Sequence, residues 1–96
     1  MTIQPRPESG TNTAIVLYDK FTALDAIGPY EVLSRLPGAR VTFVAAQAGP
    51  VRTDNGMLTL VAEQSLEQAD RPDIVLVPGG PGDVAGNAGP AVLDWL

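Results

Sequence analysis

Two uninterrupted apolar runs constrain the fold of this 96-residue chain most strongly. The runs are "TAIVLY" at 13–18 and "DIVLV" at 73–77, and both are rich in β-branched residues without alternation of polar and apolar positions. Such runs are typical of strands buried on both faces, which occur in parallel sheets covered by helices. The runs therefore predict an α/β fold with a mainly parallel sheet.

The residues between these runs supply a helix and a further strand. Apolar residues recur at spacings near three and four over 23–36, which predicts a helix that ends at Pro37-Gly38. A second strand is predicted over 40–46. The residues expected on the buried stripe of the helix are Leu24, Ile27, Val32, Leu33 and Leu36.

The second half of the chain predicts a hairpin, a short helical turn and a last helix. Asn55-Gly56 separates two alternating runs within 49–63, which is a strong hairpin signal. Residues 65–70 favour one helical turn with Ser65 as its N-cap. Pro90 fits the first position of a helix that runs to residue 96.

The chain is long enough for one small domain. Residues 1–12 are mostly polar and contain two prolines, so we expect a flexible N-terminal tail followed by a domain over 13–96. The sequence ends within the predicted last helix, without a C-cap. We therefore expect 13–96 to be the N-terminal part of a larger domain, incomplete at its C-terminus.

Composition excludes several classes of function for this segment. There is no cysteine and no histidine, so it holds no disulfide, no Cys/His zinc site, no thiol nucleophile and no imidazole base. Six basic and eleven acidic residues are scattered and give a net charge of −5, which argues against nucleic acid and anionic membranes as partners of this segment. No apolar stretch could span a bilayer and no signal peptide is visible, so we expect a cytoplasmic location.

The loop "PGGPG" at 78–82 follows the second buried run, where ligands bind in open α/β sheets. Gly79 and Gly80 can bring backbone N–H groups close to a ligand, while the flanking prolines donate no hydrogen bond. Three interpretations are open: a tight turn only, a dinucleotide site, or a pocket for a developing anion. The dinucleotide motif G-x-G-x-x-A fits 80–85 formally, but two later glycines break the helix that should follow.

Asp25 also has two interpretations. Thr22 and Asp25 have the spacing of a capping box, which would give the acid a structural role. Pro29, however, cannot donate to the carbonyl of Asp25, so the helix should kink or begin irregularly near this acid. The acid would then face Gly79 and Gly80 across neighbouring strand ends and could exchange a proton with a nucleophile. Glu31 points to another face of the helix and is interpreted as solvated or salt-bridged.

Together these stretches resemble the DJ-1/PfpI superfamily, and within it the isonitrile hydratase-like branch. The resemblance rests on "IVLYDKFTALDAIGPYEVL" (15–33), "GPVRTDNGMLTL" (49–60) and "DIVLVPGGPG" (73–82). It covers about residues 14–96 but only about the first half of the family's domain.

The resemblance implies a flavodoxin-like three-layer sandwich with a mainly parallel sheet, here incomplete at the C-terminus. It also implies an activity and a set of site residues. Family members carry a cysteine nucleophile shortly after the helix that begins here at Pro90, an acid matching Asp25 beside the thiol, and a loop matching Gly79 and Gly80 that lines the pocket. In isonitrile hydratases the thiolate attacks the isonitrile carbon and water adds, giving an N-substituted formamide without a metal or organic cofactor. The family generally forms homodimers, and the substrate is a small molecule.

The departure from the family is that this chain has no cysteine, so we expect it to be inactive alone. The chain also resembles the ligand-sensing N-terminal domains of AraC-type transcription regulators, which is the alternative function. A chaperone, deglycase or peptidase role ranks lowest, because those branches tend to place Glu where this chain has Asp25.

Overall fold

The computed structural model describes residues 11–69 and 71–80, and within them it contains one helix and six strands. The helix follows the first strand, and a hairpin is inserted between the second strand and the last ones. The element bounds are β1 Asn12–Val16, α1 Ala23–Leu33, β2 Arg40–Ala45, β3 Gly49–Arg52, β4 Thr59–Ala62, β5 Gln64–Ser65 and β6 Ile74–Leu76.

Four of the strands form one sheet in the order β5-β2-β1-β6, and each pairing in it is parallel. β1 lies at its centre, with Thr13 opposite Val41 of β2 on one side and Ile74 of β6 on the other. β3 and β4 form a separate antiparallel hairpin. The predicted α/β fold with a mainly parallel sheet is confirmed.

β1 is buried on both faces, as its uninterrupted apolar sequence predicts. Ile15 and Val16 are both fully buried and point to opposite faces, because successive side chains alternate along a strand. Ile15 packs in the core that includes Ala26 of α1, whereas Val16 packs with Leu66 on the other face. This strand therefore anchors two hydrophobic clusters at once.

The predicted buried stripe of α1 is wrong for Leu24, Val32 and Leu36, whereas Ile27 and Leu33 are half-buried. Ala26 is the buried residue of this helix, while Leu24 and Val32 are 74% and 67% exposed. At about 100° per residue, both of these side chains lie more than ~100° around the helix from Ala26. Leu36, beyond the helix, is also exposed. The face that meets the sheet is instead made by Ala26 and Tyr30, whose ring contacts Phe43 of β2.

α1 ends three residues earlier than predicted and is not divided at Pro29. The helix runs without a break from Ala23 to Leu33 with Pro29 inside it. After Leu33 the backbone tightens, since Arg35 and Leu36 each donate to the carbonyl three residues back. The predicted kink or irregular start near Asp25 does not interrupt the helical span, and a bend within that span stays a prediction.

The predicted hairpin and helical turn are both confirmed. Asn55 and Gly56 lie in the connection 53–58 between β3 and β4, and Gly56 has a φ of 72°, which suits a glycine. Ser65 accepts a hydrogen bond from the N–H of Gln68 at its side-chain oxygen, and Gln68 Oε1 accepts one from the N–H of Ser65. This reciprocal pair is the capping-box arrangement.

The predicted burial of the last strand is wrong for the described residues. Ile74 and Val75 are 41% and 39% exposed, because β6 is at the edge of the described sheet with β1 as its partner. The predicted tail over 1–12 is wrong at Asn12, which is the first residue of β1. Several predictions fall outside the described residues: the tail over 1–10, the dinucleotide motif from residue 81 on, and the helix that begins at Pro90.

Candidate functional site

The candidate site lies where β1 and β6 end side by side. Because the two strands are parallel neighbours, their carboxyl ends meet at one edge of the sheet. The loop that follows β1 leads into α1, and the loop that follows β6 contains the double glycine. Residues 18–25 and 78–80 are thus brought together although more than fifty positions separate them.

Asp25 and Gly79 are in direct contact. The backbone N–H of Gly79 donates to Asp25 Oδ2 at 3.3 Å, and a Cβ added at Gly79 would lie 3.1 Å from the same oxygen. The carboxylate is exposed to solvent. The predicted proximity of the acid and the glycine loop is therefore observed, with the acid at an open crevice rather than in a buried one.

The capping-box interpretation of Asp25 is wrong. Thr22 is the N-cap residue by backbone geometry, with φ −82° and ψ 120°, but its side chain makes no capping hydrogen bond. Its hydroxyl instead donates to Asp54 Oδ2 at 3.4 Å, in the turn of the hairpin. With Thr22 bonded elsewhere, the carboxylate of Asp25 reaches across to the Gly79 loop.

Glu31 has the structural role predicted for it. Its carboxylate forms an exposed ion pair with Arg35, one turn further along, at 3.2 Å. An exposed pair of this kind contributes little to stability, about 0.3–0.5 kcal/mol. Within the described residues no group of three or more acidic side chains could hold a metal ion.

The structure gives Gly80 a packing reason to be glycine. A Cβ at this position would lie 2.5 Å from the carbonyl oxygen of Lys20 and 3.1 Å from Cα of Phe21. Lys20 itself has a φ of 71°, an unusual value for a non-glycine residue, in the turn that links β1 to α1. The two loops therefore touch backbone to backbone, and no side chain fits between them.

Tyr18 is a site residue that sequence reasoning missed. Its hydroxyl donates to the carbonyl of Pro78 at 2.7 Å in a buried environment, and the N–H of Thr22 donates to the carbonyl of Gly79 at 2.7 Å. The available signal was a tyrosine at the end of an otherwise aliphatic run, since a buried tyrosine hydroxyl needs a hydrogen-bond partner.

A second depression lies at the carboxyl ends of β1 and β2, beside β3. Its volume is about 430 Å³ and it is open to solvent. Apolar residues of the three strand ends line it together with the charged side chains of Asp19 and Arg52.

Comparison with known proteins gives a consistent assignment. The family model described as "DJ-1/PfpI family" matches residues 12–95. An isonitrile hydratase from Pseudomonas putida is 36% identical over 67 residues, which are 70% of this chain. The chain spans only 29% of the length of that relative.

Solved structures show the same similarity. A variant of a DJ-1 superfamily protein from Salmonella typhimurium matches with a TM-score of 0.70 and 27% identity, covering 88% of this chain and 47% of that one. An AraC family transcriptional regulator from Pseudomonas putida matches with a TM-score of 0.61 and 24% identity, covering 73% of this chain and 40% of that one. The second likeness shows the fold alone.

Proposed function

The chain belongs to the DJ-1/PfpI family, and from this membership we propose that a full-length protein containing it is an isonitrile hydratase-like enzyme. The observation that carries the proposal is the contact between the Asp25 carboxylate and the N–H of Gly79 at the carboxyl ends of β1 and β6. The similarity to an isonitrile hydratase supports the choice of reaction.

The proposed reaction adds one water molecule to an isonitrile. A cysteine thiolate from the rest of the protein attacks the terminal carbon, and a carboxyl group at Asp25 supplies the proton that this carbon gains. Water then adds across the thioimidate C=N bond, with its hydroxyl on carbon and one proton on nitrogen. As the C–S bond breaks and the thiolate leaves, the hydroxyl proton passes to the Asp25 carboxylate. The product is an N-substituted formamide, so that R–N≡C and H2O give R–NH–CHO. No metal or organic cofactor is needed for these steps.

The roles of the chain's own residues follow from their positions. Asp25 is the proposed proton donor and acceptor, because its carboxylate is exposed at the mouth of the crevice. Gly79 and Gly80 are the proposed substrate-binding residues, with the backbone N–H groups of the loop near the reacting atoms. This chain contains no cysteine, so we propose that it does not turn over substrate alone.

The experiment is a turnover assay on the full-length protein with a small aliphatic isonitrile, following formamide by NMR. We expect Asp25→Ala to lower kcat by about 10²–10⁴-fold, the usual contribution of a positioned acid or base. Replacing the nucleophilic cysteine by alanine should abolish turnover.

The matched control is Glu31→Ala, which removes an exposed carboxylate from the same helix. It should leave kcat within about twofold of the unmodified enzyme, because its ion pair contributes little. Unimpaired turnover in Asp25→Ala would sink the catalytic role of this acid.

A ligand-sensing domain of an AraC-type regulator is the second candidate, favoured by the shared fold with such a regulator. The two functions are separated by testing the full-length protein for salt-dependent binding to duplex DNA alongside isonitrile turnover. DNA binding without turnover would favour the regulator.

We also propose that the full-length protein is a cytoplasmic homodimer. Large apolar side chains exposed on the described surface, such as Leu24 and Met57, would suit an interface between copies. No helix among the described residues has the length and apolar character needed to cross a membrane.

A further inference from the structure

Tyr18 and Asp25 bind opposite ends of one peptide unit. The hydroxyl of Tyr18 donates to the carbonyl oxygen of Pro78 at 2.7 Å, and the N–H of Gly79 donates to Asp25 Oδ2 at 3.3 Å. The carbonyl of Pro78 and the N–H of Gly79 belong to the same planar peptide, so they must rotate together. Fixing the carbonyl therefore fixes the direction of the N–H.

From this geometry we infer that Tyr18 is a positioning residue, which holds the Pro78–Gly79 peptide so that its N–H faces Asp25. Tyr18 is only 4% exposed, and its ring lies in the same core as Ile15 and Ala26. The hydroxyl is therefore held by a rigid side chain. The catalytic meaning of this arrangement rests on the proposed function.

The Pro78–Gly79 peptide needs a restraint on its rotation. Glycine adopts positive and negative φ with similar ease, so a peptide next to Gly79 can flip at little cost. A flip would turn the N–H away from the acid and present the carbonyl of Pro78 to it, which would repel a carboxylate. The bond from Tyr18 opposes that flip.

The same bond also strengthens the donor. A hydrogen bond accepted by the carbonyl polarises the peptide and makes the N–H of Gly79 a better donor to Asp25. The next peptide unit is held separately, because the N–H of Thr22 donates to the carbonyl of Gly79 at 2.7 Å. The backbone of Lys20 packs against Gly80 as well.

The test uses Tyr18→Phe in the full-length protein, with amide hydrogen exchange at Gly79 measured by NMR. We expect exchange at Gly79 to become about fivefold to tenfold faster, which matches the loss of one net hydrogen bond. Exchange in the β1 and β2 strands should keep its rate. The matched control is Tyr30→Phe, because the Tyr30 hydroxyl makes no hydrogen bond to another described residue.

Three outcomes would overturn the inference. Gly79 exchange could stay within twofold of the Tyr30→Phe control, which would mean that the hydroxyl does not hold this peptide. Exchange could rise equally across the strands, or Tyr18→Phe could fail to fold, and either result would make the hydroxyl a general support of the fold.

A second variant, Asp25→Ala, removes the carboxylate that accepts from the N–H of Gly79. Asp25 is exposed, so we expect this variant to fold. If Tyr18 holds the peptide, a crystal structure of this variant will keep the Pro78 carbonyl on the Tyr18 hydroxyl. A flipped peptide would show that the acid, not the tyrosine, sets its orientation.

The kinetic constants for the isonitrile are a further measurement, and a purely structural role of Tyr18 would not change kcat alone. Tyr18→Phe should lower kcat for the isonitrile by about fivefold to tenfold and leave KM within twofold, since its effect passes through the reacting acid. An unmodified protein without isonitrile turnover would overturn the proposed function, while the exchange and structural measurements would still decide the role of Tyr18.

Discussion

The two adjacent glycines of the site are glycine for different reasons. Gly79 lies against the side-chain oxygen of Asp25, which is the end of a movable group, whereas Gly80 lies against the backbone of Lys20 and Phe21. A side chain can rotate to make room, but a packed backbone cannot do so without shifting the loop. Position 80 therefore tolerates substitution less well than position 79.

We predict that Gly80→Ala destabilises the protein by about 1–3 kcal/mol, the usual cost of overpacking. The added methyl group would lie 2.5 Å from the carbonyl oxygen of Lys20 and force the two loops apart. The measurement is urea unfolding of the full-length protein, with Gly79→Ala as the milder comparison. A loss in Gly80→Ala no larger than in Gly79→Ala would contradict the packing argument.

Within α1, Gly28 differs from Gly80 because a methyl group fits at its position. It lies inside α1, and a Cβ there would meet the side chain of Leu24 at 3.9 Å, an ordinary contact distance. Gly28→Ala should therefore stabilise the protein by about 0.5–1 kcal/mol, because alanine loses less backbone entropy in a helix. Thermal unfolding of the full-length protein checks the sign. A decrease in Tm would mean that another element of the full-length protein approaches Gly28 too closely to admit a methyl group.

Sequence patterns predicted the elements whose signals are local and strong. β1 was predictable from the run TAIVLY, which has no alternation of polar and apolar positions, and every residue over 13–18 is indeed buried. The hairpin was predictable because Asn55-Gly56 favours a tight turn. The buried face of α1 was not fully recoverable, because small Ala26 faces the sheet while large Leu24 and Val32 face solvent. Ile27 and Leu33 are half-buried, so hydrophobic periodicity identified only part of the face that packs on the sheet.

The candidate site was predictable only as far as topology allows. The neighbouring ends of two parallel strands suggested that Asp25 and Gly79 meet, and they do. The hydrogen bond of Tyr18 was not predictable, because it depends on where one hydroxyl lies relative to a carbonyl sixty residues away. The capping box at Thr22 was predicted wrongly for a similar reason, because the Thr22 hydroxyl donates to Asp54 in the distant hairpin turn.

Across the described fold, two distant segments converge on the start of α1. The hairpin contributes Asp54, whose N–H donates to the carbonyl of Phe21 and whose carboxylate accepts from Thr22. The loop after β6 contributes Gly79, bonded to Thr22 and Asp25. The position of the acid thus depends on the sheet and the hairpin together rather than on the helix alone.

Two exposed apolar side chains follow closely in sequence after the residues of the contact between helix and hairpin. Leu24 follows Thr22 by two residues and Met57 follows Asp54 by three, and they are 74% and 87% exposed. Exposed apolar surface of this kind is typical of an interface with another chain. If the full-length protein is a homodimer as proposed, we expect these side chains to be part of its interface.

We predict that Met57→Glu shifts the full-length protein from dimer to monomer, because a charge buried in an apolar interface is costly to desolvate. Light scattering coupled to size-exclusion chromatography measures the mass directly, over a range of protein concentrations that makes a shift in the equilibrium visible. The control is Gln47→Glu, which adds the same charge at another exposed position and should leave the mass unchanged. A Met57→Glu protein that remains fully dimeric would place the interface on a different surface, and an unmodified protein that is monomeric at every concentration would contradict the homodimer itself.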